Sequence, residues 1–124
     1  MKLRRLLKDI RGAAALEFGL TAPVFVMVIM GVVQGGIILW TQLGLQQGVE
    51  MGARCASVDS VLCSTTSAIQ NYSAQKTYGV NPSPSTFTVK TEACGIQVSA
   101  DYPLPILSSY FDVATLHAES CFPQ

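Results

Sequence analysis

One apolar run constrains this chain more than any other feature of its sequence. Residues 13–40 (AAALEFGLTAPVFVMVIMGVVQGGIILW) hold the apolar excess of a chain that is 49% hydrophobic and only 13% charged. The part from Phe18 to Trp40 makes a helix of roughly 34 Å, which spans a bilayer core of about 30 Å. We therefore predict one transmembrane helix over residues 13–40, with Trp40 in the outer interfacial belt.

A cleaved secretory signal is the alternative interpretation of the same run. Signal peptides have apolar cores of about 7–15 residues that end in a small-residue cleavage site. The run in this chain is longer and continues without such an exit. The sequence therefore favours a helix that stays in the membrane.

The first twelve residues predict the orientation of that helix. They contain one acid, Asp9, against five basic residues, which are Lys2, Arg4, Arg5, Lys8 and Arg11. A basic cluster can also bind nucleic acid, but this one adjoins an apolar run of membrane length. The positive-inside rule places the N-terminus in the cytoplasm and the C-terminal part on the exported side. We expect no nucleic-acid partner.

The pattern predicts an α+β fold, in which a long N-terminal transmembrane helix continues into an exported helix and a small antiparallel β-sheet follows. The predicted regions are a basic leader (1–12), the transmembrane helix (13–40), an exported extension of the helix (41–62) and a small disulfide-stabilised domain (63–124). About 80 residues follow the apolar run, enough for one small domain. A short second helix is predicted within 64–78. Alternating residues predict strands at 86–92, 95–102 and 114–121, with a hairpin at Thr91–Cys94 whose turn is supplied by Gly95.

Five glycines of the predicted helix form two sets, and within each set they recur at intervals of four. A spacing of four puts residues on one helix face, where the missing side chains let another helix approach closely. Each glycine also costs a helix roughly 1 kcal/mol relative to alanine. We predict close helix packing, the alternative being a flexible and poorly packed helix, at Gly31, Gly35, Gly44, Gly48 and Gly52.

The four cysteines all follow the apolar run and are predicted to form disulfides. Successive cysteines are separated by 7, 30 and 26 residues, unlike the short CxxC spacing of zinc sites. An exported domain lies in an oxidising compartment, where disulfides are the default. Three pairings exist. The preferred one joins Cys55 to Cys63 in a short local loop and Cys94 to Cys121 across the C-terminal strands.

The sequence contains no recognisable catalytic constellation. Its single histidine, His117, has no evident serine or cysteine partner, and the acids are scattered singly. No phosphate-binding glycine loop, HExxH or CxxC motif occurs. We therefore predict a protein that is not an enzyme and that carries no cofactor and no metal.

A carboxylate at the head of the apolar helix is the most informative single residue. A charge inside a bilayer costs roughly 2.5–3.5 kcal/mol, so Glu17 needs a partner or a shallow position near the cytoplasmic interface. Cleavage after Gly12 would give Ala13 a free ammonium group and make Glu17 the fifth residue of the mature chain. In an assembly, that carboxylate could then neutralise the ammonium group of a neighbouring subunit.

This pattern resembles prepilins of the type IV class, and more closely the TadE/TadF-like minor pilins, or pseudopilins, of tight-adherence (Flp) pili. The resemblance covers about residues 11–54. It rests on RGAAALEF at 11–18, Ala22-Pro23, the stretch from Gly31 to Gly35, and Gly52-Ala53-Arg54.

The resemblance implies a minor pilin-like subunit that a prepilin peptidase cuts between Gly12 and Ala13. It would lie in the bacterial inner membrane as a single-pass protein, with its C-terminal domain periplasmic or extracellular, until taken into the pilus. Its implied partners are the peptidase, other pilin subunits, the inner-membrane assembly machinery and the lipid bilayer. The alternatives are an unprocessed single-pass accessory protein whose exported domain binds an envelope partner, and a secreted disulfide-stabilised binding protein.

Overall fold

The computed structural model describes residues 10–104 and 115–123. The predicted α+β class is confirmed, with a long apolar helix, a short second helix and a small antiparallel sheet. The elements in chain order are α1 (Ile10–Val58), α2 (Thr66–Lys76), a 3-10 helix (Pro84–Thr86), β1 (Phe87–Glu92), β2 (Gly95–Pro103) and β3 (Thr115–Phe122). Residues 1–9 of the predicted leader lie outside the described residues.

The chain divides into two compact units, Met1–Gly36 (the N-terminal unit) and Ile37–Gln124 (the C-terminal unit). In the N-terminal unit, nearly every side chain from Gly12 onward is exposed, and Phe18 keeps 73% of its surface. A helix that is apolar all round is typical of a membrane span or a buried core. Among the described residues, one helix, between Gly12 and Val58, is long and apolar enough to cross a membrane.

Helix α1 ends at Val58. The predicted helical extension (41–62) therefore includes four residues, 59–62, that are not part of the helix. The carboxylate of Asp59 accepts hydrogen bonds from the backbone N–H groups of Val61 (3.1 Å) and Leu62 (2.9 Å). An aspartate that bonds to nearby backbone N–H groups offers the chain an alternative to helix. The chain therefore turns at this residue and does not continue as helix.

The sheet has the strand order β1-β2-β3, and both pairs are antiparallel. A two-residue turn joins β1 to β2, with Glu92 paired to Gly95. Gly95 has φ +125°, a conformation that favours glycine, and a Cβ there would overlap the carbonyl oxygen of Phe122. The glycine predicted at this turn is therefore required by both conformation and space.

The core of the C-terminal unit lies between the last part of α1, helix α2 and one face of the sheet. Leu45, Val49 and Ala53 follow one another at helical spacing and are fully buried. They belong to one cluster with residues of α2 and of the sheet, among them Ile69, Phe87, Val98, Ala100 and Ala118. Residues 41–58 of α1 thus place one apolar stripe of the helix in the core.

Candidate functional site

The predicted cleavage and assembly residues all lie on exposed turns of α1. Ala13 and Glu17 are four residues apart and therefore share one helix face, and both are exposed. The hydroxyl of Thr21 donates a hydrogen bond to the carbonyl oxygen of Glu17 at 3.0 Å. A Cβ added at Gly12 would meet no heavy atom within 4 Å. The structure thus shows a glycine–alanine bond and a carboxylate on an accessible helix.

The five predicted packing glycines fall into two groups. Within the C-terminal unit, Gly44, Gly48 and Gly52 contact the second helix and the residues after it. A Cβ at these positions would overlap the Tyr78 carbonyl oxygen, the Thr77 hydroxyl and the Ser73 hydroxyl, respectively. Within the N-terminal unit, a Cβ at Gly31 or Gly35 would meet nothing within 4 Å. The first group therefore serves packing inside the chain, and the second faces open space.

Two glutamines of α1 cover the outer edge of β3. The side-chain amides of Gln42 and Gln46 donate to the carbonyl oxygens of His117 (2.8 Å) and Glu119 (3.2 Å). Gln42 and Gln46 are separated by about 6 Å along the helix axis, and His117 and Glu119 by about 6.6 Å along the strand. The two spacings therefore match. Further along, the hydroxyl of Ser57 shares its proton between the carbonyl oxygens of Ala53 (3.1 Å) and Phe122 (3.3 Å). Strand carbonyls that would otherwise face solvent are thus satisfied by the helix.

The structural role of these two glutamines does not follow from the sequence alone. The available signal was a pair of amides at a spacing of four beside an apolar stripe on the same helix. That signal shows that both amides share a helix face, but it does not show which strand lies opposite.

The four cysteines form two disulfides, Cys55–Cys63 and Cys94–Cys121. These coincide with the preferred pairing. The first closes the turn that follows α1. The second joins the β1–β2 turn to the edge strand β3 and therefore crosslinks all three strands.

A small charged cluster lies on the exposed face of the sheet. The Nδ1 atom of His117 is 2.7 Å from Oδ1 of Asp101, the residue directly opposite on β2, and its Nε2 atom is 3.5 Å from Oε2 of Glu119. Gln97 donates to the same carboxylate of Glu119 at 3.1 Å. The hydrogen bond to Asp101 raises the pKa of His117 above its usual value, and the bond to Glu119 adds to this.

Because the pKa of His117 is higher in the folded state, protonation of this residue stabilises the fold. We expect that contribution to be complete below about pH 6.5, the usual histidine pKa, and to be lost as the pH rises through the folded-state value. His117 is the only histidine in the chain, so its imidazole NMR signals report the pKa directly.

Asp101→Asn should lower the pKa of His117 more than Glu119→Gln, because the bond to Asp101 is the shorter one. Equal shifts in the two variants would contradict this ranking of the two carboxylates.

Within residues 10–104 and 115–123, no group of three or more His, Cys, Asp or Glu residues could hold a metal ion.

An exposed aromatic pair lies at the start of the C-terminal unit. The rings of Trp40 and Tyr78 are 5.7 Å apart between centroids and meet edge to face at 74°. Gly79, with φ +83°, packs its bare Cα beside the indole, and a Cβ there would overlap the ring. Tyr78 and Gly79 therefore both pack against the indole of Trp40.

Comparison with known proteins gives one result for this chain. Residues 12–54 match the family described as TadE-like protein. The match begins at Gly12, continues through the exposed apolar helix and ends at Arg54, and thus covers most of α1. No curated protein and no solved structure matches the chain. The TadE-like part of the resemblance is therefore confirmed over residues 12–54, which lie within α1.

Proposed function

We propose that this chain, which carries a TadE-like domain over residues 12–54, is a minor pilin-like subunit for assembly of a tight-adherence (Flp) pilus. The family match is the observation that carries the proposal, because it connects the chain with tight-adherence pili and includes the Gly12–Ala13 bond and Glu17. The proposed role is structural and not catalytic.

The surface of the N-terminal unit supports a role in assembly. Its helix presents large apolar side chains to the surroundings, including Leu16, Phe18 and Phe25. Water is a poor solvent for such a surface, so it requires lipid or other apolar helices. Gly31 and Gly35 leave space on this helix. We propose that neighbouring pilin helices pack there, whereas Gly44, Gly48 and Gly52 are already in use within the chain.

Processing would create the assembly contact. Cleavage between Gly12 and Ala13 by a prepilin peptidase releases the basic leader and leaves an ammonium group at Ala13. We propose that the Glu17 carboxylate of one subunit binds that ammonium group on its neighbour. In the low dielectric of the bilayer, such a pair is much stronger than in water.

The proposed location is the bacterial inner membrane, with the N-terminus cytoplasmic and the C-terminal unit periplasmic or extracellular. The basic residues before Gly12 support this orientation through the positive-inside rule. Two disulfides support an oxidising compartment for the C-terminal unit. The proposed partners are other pilin subunits and the inner-membrane assembly machinery.

Mass spectrometry of the membrane-extracted protein tests the processing step. We expect an N-terminus at Ala13 when a prepilin peptidase is co-expressed and at Met1 when it is absent. Gly12→Leu should abolish the cut, because a glycine at this position gives the peptidase close access to the backbone. An intact Met1 in the presence of the peptidase would favour the unprocessed accessory protein, and a cut near residue 40 would favour a secreted one.

Gly19→Leu provides the matched control for Gly12→Leu. Both glycines lie on α1, and a Cβ at either would meet nothing within 4 Å. Loss of processing only in Gly12→Leu would therefore report recognition by the peptidase and not a disturbed fold. Equal processing of the two variants would count against the site.

Glu17→Ala should leave cleavage intact but prevent incorporation into pili. The variant loses the carboxylate that binds the neighbouring ammonium group, while the bond to be cut is unchanged. Cleavage is read by mass spectrometry, and incorporation by immunoblotting of sheared pili. Normal incorporation of Glu17→Ala into pili would contradict the proposed role of this carboxylate in assembly.

A further inference from the structure

No charged residue marks the point at which helix α1 leaves the bilayer. Between Glu17 and Glu50, residues 18–49 contain no Asp, Glu, Lys or Arg. These 32 residues correspond to about 48 Å of helix, against a hydrocarbon core of about 30 Å. The uncharged helix is therefore much longer than the bilayer is thick, and another feature must define its depth.

Burial within the C-terminal unit limits how far lipid can cover the helix. Thr41 is only 3% exposed, and Gly44 and Leu45 are also buried. Leu39 and Trp40, immediately before them, are largely exposed. From Thr41 onward one side of the helix is covered by protein, so Trp40 is the last position at which lipid can surround it.

The aromatic pair has the chemistry of a membrane–water boundary. Trp40 is 57% exposed and Tyr78 is 43% exposed, and each ring combines an apolar body with a polar N–H or O–H group. Such rings favour the headgroup level of a bilayer. Tyr78 belongs to the turn after α2 and yet packs against Trp40 of α1. The pair therefore brings a residue of the folded unit to the level at which the helix leaves the lipid.

We propose that Trp40 and Tyr78 together bind the headgroup–acyl boundary of the outer leaflet, so that the C-terminal unit rests on the bilayer surface through Tyr78. This inference rests on the proposed membrane insertion of α1 and is independent of cleavage and pilus assembly.

The single tryptophan of the chain makes a direct test possible. The full chain is reconstituted in phosphatidylethanolamine–phosphatidylglycerol vesicles that contain phosphatidylcholines brominated at either a shallow or a deep acyl position. We expect Trp40 to lose more fluorescence with shallow bromines than with deep ones. Stronger quenching by deep bromines, or none by either, would overturn the assignment of Trp40 to the boundary.

Three variants in a Trp40→Phe background move the tryptophan to other positions. Tyr78→Trp should show the same preference for shallow bromines. Val61→Trp should be unquenched, because Val61 is more exposed (87%) than Trp40 or Tyr78 but follows the far end of α1, about 27 Å of helix beyond residue 40. Phe25→Trp, within the predicted span, should be quenched most by deep bromines.

Each outcome bears on a different part of the inference. Quenching of the original Trp40 without quenching of Tyr78→Trp would show that only the helix contacts lipid, and would overturn the proposal. Equal quenching of Val61→Trp and Tyr78→Trp would overturn it as well, because the unit would then lie along the membrane. An unquenched Phe25→Trp would show that α1 does not insert, which would refute the membrane span itself.

Discussion

Gly44→Ala should destabilise the C-terminal unit by about 3 kcal/mol or more, at the upper end of the cost of overpacking. The new methyl group would overlap the backbone carbonyl oxygen of Tyr78. A backbone atom cannot move aside by changing rotamer, so α1 and the turn after α2 must separate. That separation would also expose Leu45, which is fully buried on the same part of α1.

Urea unfolding of the full chain in detergent micelles measures this loss. Gly36→Ala is the matched control, because a Cβ there meets nothing within 4 Å and Gly36 belongs to the N-terminal unit, so this variant should leave the urea midpoint of the C-terminal unit unchanged. Gly52→Ala tests the mechanism, since its methyl group would overlap a side-chain atom, the Ser73 hydroxyl. The double variant Gly52→Ala/Ser73→Ala should recover much of the loss, and the absence of any recovery would contradict the assigned contact.

Removing the Cys94–Cys121 disulfide should cost the C-terminal unit about 3.5 kcal/mol, the value expected from loop-closure entropy for a sequence separation of 27 residues. The bridge restricts the unfolded chain over the whole span that contains β2 and β3. Without it, β3 remains joined to β2 by its hydrogen-bond ladder and to α1 by Gln42 and Gln46. A small unit with a limited core tolerates such a loss poorly.

The second disulfide of the same unit provides the comparison. Cys55–Cys63 has a sequence separation of 8 residues, so its removal should cost only about 2.5 kcal/mol. Urea midpoints of the Cys94→Ala/Cys121→Ala and Cys55→Ala/Cys63→Ala variants should rank accordingly. A larger loss in the Cys55→Ala/Cys63→Ala variant would show that the turn after α1 contributes more than its loop length predicts.

Much of this fold follows from local patterns in the sequence. Alternation predicted β1, β2 and β3 to within a residue or so, because one face of the sheet is buried and the other is solvated. The apolar run predicted α1 because few structures other than a membrane helix accommodate so long an uncharged segment. Gly95 marked the β-turn because a positive φ is costly for other residues.

The errors and omissions arise where a distant residue decides the outcome. The glycine spacing of four predicted close packing but could not show that Gly44, Gly48 and Gly52 contact this chain's own second helix. The helix ends four residues before the end of the predicted 41–62 extension, because the side chain of Asp59 captures backbone N–H groups. Pairing of Gln42 and Gln46 with β3 joins residues more than 70 positions apart in the sequence, and no local pattern contains that information.

The glutamine contacts along β3 also determine how the C-terminal unit bears mechanical load. Helix α1 and strand β3 run in the same direction, since Gln42, Gln46 and Ser57 meet successively later residues of the strand. A pull along the helix axis therefore loads these bonds in shear, all at once, and does not peel them apart one by one. If this chain is drawn out of the membrane by its helix, the folded unit should travel with it intact.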